Sequence, residues 1–182
     1  MFMPDADIIY LSGITLAILT PAARRRLVEA LISRRSAGSK IAFDSNYRPK
    51  LWEDAATARR TVQAMWDITD IALPSIDDEM ALFGDLTETA VIDRFARRDW
   101  EGIAIKRGMR GPVLPQLDAA AHPEFPAAEK VIDTTAAGDS FNGGYLAAFI
   151  AGKGEAVRLI AGHALAATVV GAPGAILPHK AD

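Results

Sequence analysis

The chain has 182 residues, half of them hydrophobic, with a formal net charge of −3 and no cysteine. This length predicts one domain over residues 1–182 with a core of its own. The near-balanced charge argues against a nucleic-acid-binding surface. The lack of cysteine excludes a disulfide framework and a thiolate metal site, and the three histidines, at 122, 163 and 179, show no metal-ligand spacing.

Two further features of the composition predict a cytoplasmic chain. Residues 1–8 carry Asp5 and Asp7 and no basic residue, which is unlike a secretory signal peptide. Glycines or polar residues interrupt each apolar run before it reaches the roughly 18 residues of a membrane span. The paired arginines share helical patterns with acidic residues, as is typical of solvated helix faces. We therefore expect neither a membrane nor nucleic acid as a partner.

Along the chain, short β-favouring runs alternate with helical patterns. This alternation predicts an α/β fold whose mainly parallel sheet is covered by helices on both faces. In such sheets, ligands gather at the carboxyl ends of the strands. Strands are predicted at 8–12, 40–44, 71–73, 102–106 and 129–132, with 112–114 as a hairpin partner of 102–106. Helices are predicted at 20–37, at 54–67, from 75 and from 87, then with Asp139 in the first turn and an apolar run at 141–150, and last at 154–170.

The most informative stretch runs from Asp133 to Asn142, between a predicted strand and a predicted helix. Small residues at 136–138 allow backbone N–H groups to approach a ligand closely. These groups lie where the helix begins, so free donors and the positive end of the helix dipole predict a phosphate site. Asp139, in the first helical turn, is suited to accept a proton from a nucleophile. The alternative is a plain helix cap at Asp139 with alanines that only pack.

A second stretch, Phe43 to Trp52, begins where a predicted strand ends. Arg48 offers a planar fork that suits a carboxylate or a phosphate. Asn46 offers an amide to either kind of ligand. The alternative is a surface loop in which Arg48 pairs with a local acid.

Three weaker patterns have ordinary structural interpretations. The segment from Lys106 to Gly111 reads as a glycine-containing turn after a strand. Asp78 lies in an acidic helix start that Ser75 can cap. His163, in a helix rich in small residues, is typical of a satisfied core histidine. The sequence has no Gly-x-x-x-x-Gly-Lys-[Ser/Thr] motif and is therefore not a P-loop kinase.

The stretch that ends at Asn142 resembles the C-terminal signature of the ribokinase-like, or PfkB, carbohydrate kinases. That resemblance implies that Asp139 is the general base and that the loop of Ala136, Ala137 and Gly138 binds ATP and stabilises the transferring phosphoryl group. It also assigns Asp133 to the substrate site.

The pattern Asp-x-Asn-x-Arg after the second predicted strand also recurs in this family. Its longer form, Asp-x-Asn-Tyr-Arg-Pro-x-Leu-Trp, resembles the 2-keto-3-deoxygluconate kinase branch. In that branch the arginine binds the substrate carboxylate and the asparagine lies by the ATP phosphates. The resemblance carries these roles to Arg48 and Asn46.

The remaining roles also come from the resemblance. Asp78 replaces the glutamate of the family's Asn-x-x-Glu motif, which orders water and Mg²⁺, while serine replaces its asparagine. A monovalent-cation site is expected beyond the last helix. The nucleotide-binding residues that the resemblance implies are Lys106, Gly108, Gly111 and, by contact with adenine, His163.

The resemblance as a whole implies an ATP- and Mg²⁺-dependent kinase that phosphorylates the terminal hydroxyl of a small sugar acid, 2-keto-3-deoxygluconate. Fructose or ribose is the alternative substrate, and homo-oligomerisation stays open. The family fold is a three-layer αβα ribokinase-like domain that is longer at its N-terminus, with further strands, a lid and a Gly-Gly sugar motif.

This sequence contains none of these N-terminal features. We therefore expect a fragment, a mis-started reading frame or a truncated relative of such a kinase. The alternative function is a non-catalytic nucleotide-binding fragment, or an assembly partner that a second chain completes.

Overall fold

The computed structural model describes residues 5–117 and 122–175. The chain divides into two compact units, Met1–Ile105 (unit 1) and Lys106–Asp182 (unit 2), and each is described by itself. The single domain expected from the sequence stays a prediction. Within the described residues, no helix combines the length and apolar character needed to cross a membrane.

Unit 1 is built on a four-stranded parallel sheet in the order β1-β2-β3-β4. The register of the first pair runs from Ile8 opposite Lys40 to Ser12 opposite Asp44, so both strands end at the same edge of the sheet. This parallel sheet with helices between its strands confirms the predicted α/β class. The strands are β1 (Ile8–Ser12), β2 (Lys40–Asp44), β3 (Ile71–Ala72) and β4 (Gly102–Ile103).

Local capping explains why three helices of unit 1 begin where the sequence predicts, whereas Ser75 makes no side-chain cap at the start of α4. The side chains of Thr20, Asp54 and Thr87 each accept a hydrogen bond from a backbone N–H three residues further on, at 3.3, 2.7 and 3.2 Å. Such caps satisfy donors that the first turn of a helix leaves free. The helices are α1 (Gly13–Ala17), α2 (Pro21–Ser36), α3 (Ala55–Ile68), α4 (Ile76–Phe83) and α5 (Glu88–Ala96), with a short 3₁₀ turn at Pro49–Leu51.

The core of unit 1 packs the sheet against aromatic side chains of the helices. Phe43 of β2 lies edge-on to Trp66 of α3, with ring centroids 4.8 Å apart. Trp66 meets Phe95 of α5 in the same manner at 5.1 Å. Edge-to-face pairs of this kind add to the burial of apolar area. These aromatic contacts hold α3 and α5 against the sheet, whose strands carry the loops at their carboxyl ends.

Unit 2 is dominated by two closely packed helices, α6 (Ala137–Ile150) and α7 (Glu155–Val170), and has a second 3₁₀ turn at Gly108–Arg110. Glycines make the close approach of the helices possible. A Cβ atom added to Gly144 would lie 2.5 Å from the Ala161 carbonyl oxygen, and one added to Gly162 would lie 2.9 Å from the Phe141 ring.

The predicted strand at 129–132 is wrong, because this segment is not extended into a sheet. Val131 and Ile132 are 53% and 47% exposed. The N–H groups of Ile132 and Asp133 instead donate to the Val170 carbonyl at the end of α7, at 2.7 and 3.2 Å. A β-favouring composition becomes a strand only where a neighbouring strand offers a ladder. The predicted hairpin strand at 112–114 is likewise reduced to an isolated bridge residue, Val113.

Two adjacent glycines of α6 provide a test of this packing. Gly144→Ala should lower the free energy of unfolding by roughly 1–3 kcal/mol, because the added methyl group collides with the α7 backbone. Gly143→Ala is the matched control: nothing lies within 4 Å of its Cβ position, so helix propensity should raise stability by roughly 0.5–1 kcal/mol. Urea unfolding of both variants measures the difference, and equal effects would contradict the close approach.

Candidate active site

In unit 1, the loop after β2 is held in an unusual backbone conformation. The buried Asp44 carboxylate accepts a hydrogen bond from the Asn46 N–H at 3.1 Å. Asn46 has a φ of 30°, which is uncommon for a residue with a side chain. A Cβ atom on Gly13 would lie 2.0 Å from the Ser45 carbonyl oxygen, so the end of β1 contacts this loop directly. The loop is therefore fixed by both strands.

The same loop presents Arg48 to solvent. Its Nη1 donates to the Tyr47 carbonyl at 2.9 Å and to Asp78 Oδ1 at 3.4 Å. The side chains of Arg48 and Asp78 are 53% and 21% exposed. An exposed pair of this kind contributes at most about 1 kcal/mol, so the guanidinium can exchange this partner for another carboxylate. The structure thus brings together three sequence-predicted site residues, Asn46, Arg48 and Asp78.

Beneath Asp78, the sequence interpretation missed a buried carboxylate. Glu79 is fully buried, and its Oε2 accepts a hydrogen bond from Arg94 Nη1 at 2.9 Å. Burial raises the pKa of Glu79 to about 7, which Arg94, Ser45 and Trp66 oppose. An acidic run at a helix start resembles solvated capping residues. Glu79 differs from Asp77 and Asp78 only in lying on the buried face of α4. Three acidic residues within one helical turn are too short a pattern to show from the sequence which of them is buried.

In unit 2, the loop before α6 is tied down by Asp133. Its Oδ1 accepts the Thr135 N–H at 2.8 Å, and its Oδ2 accepts the Gly174 N–H at 3.1 Å. Hydrogen bonds from Thr135, and then from Gly174, lower the pKa of Asp133. The substrate contact expected for Asp133 stays a prediction. Its bonds in the structure fix the loop relative to the end of α7.

The start of α6 has the geometry of an anion site. Ala136 has a left-handed φ of 64°, and the Ala137 N–H donates to the Thr134 carbonyl at 3.2 Å. Within the described residues, the N–H groups of Gly138 and Asp139 find no acceptor. The Asp139 side chain is exposed and has no hydrogen-bond or ion-pair partner in the described part of the chain. Free amides at a helix start attract an anion, and an exposed carboxylate beside them can accept a proton.

Lys106 adds positive charge to this site. Its Nζ donates to Oδ1 of Asn142 at 3.1 Å and would lie 3.8 Å from a Cβ atom on Gly138. The ammonium therefore lies beside the first turn of α6. Asn142, which is buried, orients it. The sequence predicted Lys106 but gave no role to Asn142, although that residue closes the signature stretch.

The remaining nucleotide-binding candidates lie in two places within unit 2. Gly108 begins the second 3₁₀ turn and Gly111 follows it, with φ values of 58° and 74°, which favour glycine. His163 Nε2 lies 2.7 Å from the Pro126 carbonyl oxygen, and its ring centroid is 5.2 Å from that of Phe125. These contacts match the ordinary interpretation of His163 as a satisfied residue. Its contact with adenine stays a prediction.

The acidic residues fit a magnesium ion that phosphates help to hold, rather than a protein cage. The described ranges contain no group of three or more His, Cys, Asp or Glu side chains arranged around a metal position. Mg²⁺ commonly takes one or two carboxylates and completes its shell with substrate phosphates and water. Asp78 suits that role. The region beyond α7, where a monovalent-cation site is expected, lies outside the described residues from 176 onward.

Backbone strain occurs at two of the predicted positions. Asn46 and Ala136 are the two residues other than glycine with positive φ within the described ranges. Such conformations cost free energy and cluster at functional sites. One lies in the loop of unit 1 that presents Arg48, and the other lies at the start of α6 in unit 2. This coincidence supports both predicted loops as functional elements.

Fold and loops define the class of the protein: an α/β chain with a parallel sheet and a helix start that can bind an anion. The model of the family described as pfkB family carbohydrate kinase matches residues 2–182. The chain therefore belongs to the pfkB family of carbohydrate kinases, as its signature stretch predicted.

Two curated relatives have high similarity to the chain. The 2-dehydro-3-deoxygluconokinase of Escherichia coli (strain K12) is 41% identical over 186 residues, which cover 98% of this chain and 59% of that relative. The enzyme of the same name from Dickeya dadantii (strain 3937) is 41% identical over 182 residues, 96% of this chain and 57% of the relative. The chain thus spans less than two thirds of the length of either relative.

Solved structures also resemble the chain. Aminoimidazole riboside kinase from Salmonella enterica, complexed with aminoimidazole riboside and an ATP analog, matches with a TM-score of 0.71 and 28% sequence identity. The match covers 92% of this chain and 57% of that structure. It confirms the predicted ribokinase-like α/β class.

The buried Glu79 predicts a pH dependence of stability. Its pKa is raised from 4.5 to about 7 in the folded state, so the folded chain binds more protons than the unfolded chain between these values. Stability should therefore fall as pH rises through this window, by about 3 kcal/mol. Glu79→Gln should remove this slope, as urea midpoints in metal-free buffer will measure. Asp85→Asn alters the other carboxylate partner of Arg94 and should retain the fall of stability with rising pH. A slope that persists in Glu79→Gln would contradict the assignment.

Proposed function

We propose that the chain acts in the ATP-dependent phosphorylation of the terminal hydroxyl of 2-keto-3-deoxygluconate, also called 2-dehydro-3-deoxygluconate. The observation that carries this proposal is the exposed Asp139 carboxylate beside the free N–H groups at the start of α6. A carboxylate next to an anion-binding helix start is suited to deprotonate an alcohol that attacks a bound phosphate. Membership of the pfkB family supports this chemistry.

Unit 2 supplies the groups for phosphoryl transfer. The hydroxyl oxygen of the sugar attacks the γ-phosphorus of ATP, and Asp139 accepts the proton of that hydroxyl. The bond between the γ-phosphorus and the oxygen that leaves with ADP breaks at the same time. The N–H groups of Gly138 and Asp139, together with Lys106, stabilise the negative charge on the transferring group. The left-handed Ala136 orients these amides before the substrate binds. Such an arrangement catalyses by positioning and charge stabilisation.

Unit 1 supplies groups that bind the negatively charged parts of the ligands. Arg48 binds the carboxylate of the sugar acid through its planar fork, and Asn46 offers its amide to the ATP phosphates. Asp78 would help to hold Mg²⁺, which would neutralise the negative charge that develops on the phosphates during transfer.

The choice of substrate rests on the relatives and on Arg48. Two relatives that are 41% identical are named 2-dehydro-3-deoxygluconokinases. The Arg48 guanidinium, which can release the Asp78 carboxylate, suits a substrate with a carboxylate of its own, and fructose and ribose have none. A panel of the sugar acid, fructose and ribose tests this choice, and preference for a neutral sugar would overturn it.

A second candidate function is nucleotide binding without transfer. It is favoured by the free N–H groups at the start of α6, which can bind a phosphate whether or not transfer follows. Calorimetry with ATP·Mg²⁺ and with the sugar acid separates the two functions. Nucleotide binding without sugar binding or turnover would support this second candidate.

Replacing the proposed base tests the reaction directly. We expect Asp139→Asn to lower the rate of sugar-acid phosphorylation by roughly 10²–10⁴ while ATP binding is kept, because a general base is lost. Glu155→Gln is the control, since Glu155 is also an acidic residue in the first turn of a unit 2 helix. Coupled detection of ADP measures the rate. Unchanged turnover in Asp139→Asn would exclude the proposed role.

Removing the proposed carboxylate contact tests substrate recognition. Arg48→Ala should weaken sugar-acid binding by roughly tenfold to a hundredfold, as expected for a charge-assisted hydrogen bond that contributes about 1.5–3 kcal/mol. ATP binding should stay unchanged. Lys50→Ala, at an exposed position two residues further on, serves as the control. Titration calorimetry measures both affinities, and equal sugar-acid affinity in wild type and Arg48→Ala would refute the carboxylate contact.

A further inference from the structure

Arg24 is a buried cation of unit 1 that the proposed reaction does not use. It lies in α2 and is 6% exposed. Its Nε donates to the Leu16 carbonyl at 2.9 Å, and its Nη2 donates to the Leu19 carbonyl at 3.2 Å. A buried guanidinium needs such partners because its desolvation is costly. Arg24 is thereby fixed to the end of α1 and the segment that follows it.

The same guanidinium holds the far end of the loop that carries Arg48. Its Nη2 lies 3.2 and 3.3 Å from the two carboxylate oxygens of Glu53. Its central carbon lies 4.8 Å from the ring centroid of Trp52, which is itself buried. A hydrogen-bonded ion pair and a cation–π contact therefore converge on two successive residues.

A rigid turn connects this anchor to Arg48. The 3₁₀ turn Pro49–Leu51 begins directly after Arg48 and ends directly before Trp52. The Leu51 N–H donates to the Arg48 carbonyl at 2.9 Å, and the Trp52 N–H donates to the Pro49 carbonyl at 3.3 Å. Proline fixes one backbone dihedral of this turn. A displacement of Trp52 would therefore be passed on to Arg48.

On the other side of Arg48 the loop is held by Asp44 and by the buried Tyr47, but the turn itself has little further support. Pro49, Lys50 and Leu51 are all exposed. The Arg48 side chain contacts its neighbour's carbonyl and, at 3.4 Å, the Asp78 carboxylate. After Arg48, the segment next contacts the rest of unit 1 at Trp52 and Glu53, where Arg24 lies.

We propose that Arg24 is a positioning residue for sugar-acid recognition: through Trp52 and Glu53 it holds the turn that places the Arg48 guanidinium. This inference rests on the proposed function of Arg48 as the carboxylate contact. Arg24 itself touches no substrate. Misplacement of a binding group by about 1 Å is enough to cost up to a hundredfold in function.

The test uses Arg24→Met, which keeps much of the apolar stem and removes the hydrogen bonds and the charge. We expect the sugar-acid affinity of the chain to fall about tenfold by calorimetry, while its affinity for ATP·Mg²⁺ stays unchanged. Amide hydrogen exchange at residues 48–53 should accelerate.

Arg35→Met is the matched control. Arg35 Nε and Nη2 donate to Asp70 at 2.9 and 2.8 Å, so this variant also loses an arginine–carboxylate pair of α2. Asp70 precedes β3, at the opposite end of the strands from the Arg48 loop. Arg35→Met should leave both the sugar-acid affinity and exchange at 48–53 as in wild type. An equal fall in affinity in the two variants would indicate general destabilisation and overturn the inference.

A double variant separates positioning from a merely structural role. In the Arg48→Ala background, Arg24→Met should produce no further loss of sugar-acid affinity, because residues that act through one contact are not additive. Fully additive losses would overturn the inference. If Arg24→Met does not fold, Glu53→Ala replaces it, because Glu53 is half-exposed and Arg24 keeps its hydrogen bonds to the Leu16 and Leu19 carbonyls in this variant. It should weaken sugar-acid binding about threefold.

The outcomes distinguish this inference from the proposed function. Unchanged sugar-acid affinity in Arg48→Ala, or no sugar-acid binding by the wild-type chain, would overturn both. A loss in Arg48→Ala with wild-type affinity in Arg24→Met and Glu53→Ala would overturn the positioning role alone.

Discussion

The free N–H groups at the start of α6 are the feature on which the proposed chemistry of unit 2 depends. An α-helix leaves its first amides without partners, and most helices cap them with a side chain. Here the N-cap position is Ala136, which has no side-chain acceptor, and its φ is left-handed. Asp133 holds this loop from outside by accepting two backbone hydrogen bonds. Within the described residues, the N–H groups of Gly138 and Asp139 are therefore left without an acceptor.

In unit 1, parallel pairing provides a comparable constraint. The register of β1 and β2 places Ser12 opposite Asp44, so the two strands end together. Gly13 then lies against the Ser45 carbonyl, where even a methyl group would not fit. In the loop that follows, Asn46 adopts an uncommon positive φ of 30°. The strand ends thus determine where the Arg48 loop begins.

The sequence predicts the structure best where interactions between residues close in the chain determine it. Thr20, Asp54 and Thr87 begin their helices as expected, because each cap bonds within three residues of itself. The run at 129–132 fails as a strand, since its neighbour is the end of α7 and not a strand. Glu79 and Asn142 were missed for a related reason: burial and the partner side chains Arg94 and Lys106 come from distant parts of the chain.

Two arginines of unit 1, Arg24 and Arg48, differ in exposure and therefore in the roles that suit them. Arg24 is almost fully enclosed and bonded to carbonyls as well as to a carboxylate, so losing these partners together would leave a buried charge uncompensated. Arg48 has an exposed fork and one long contact to Asp78. Water screens such a pair, and exchanging its carboxylate for that of a ligand costs little. A buried arginine is thus suited to hold a loop in place, and an exposed one on that loop is suited to bind and release an acid.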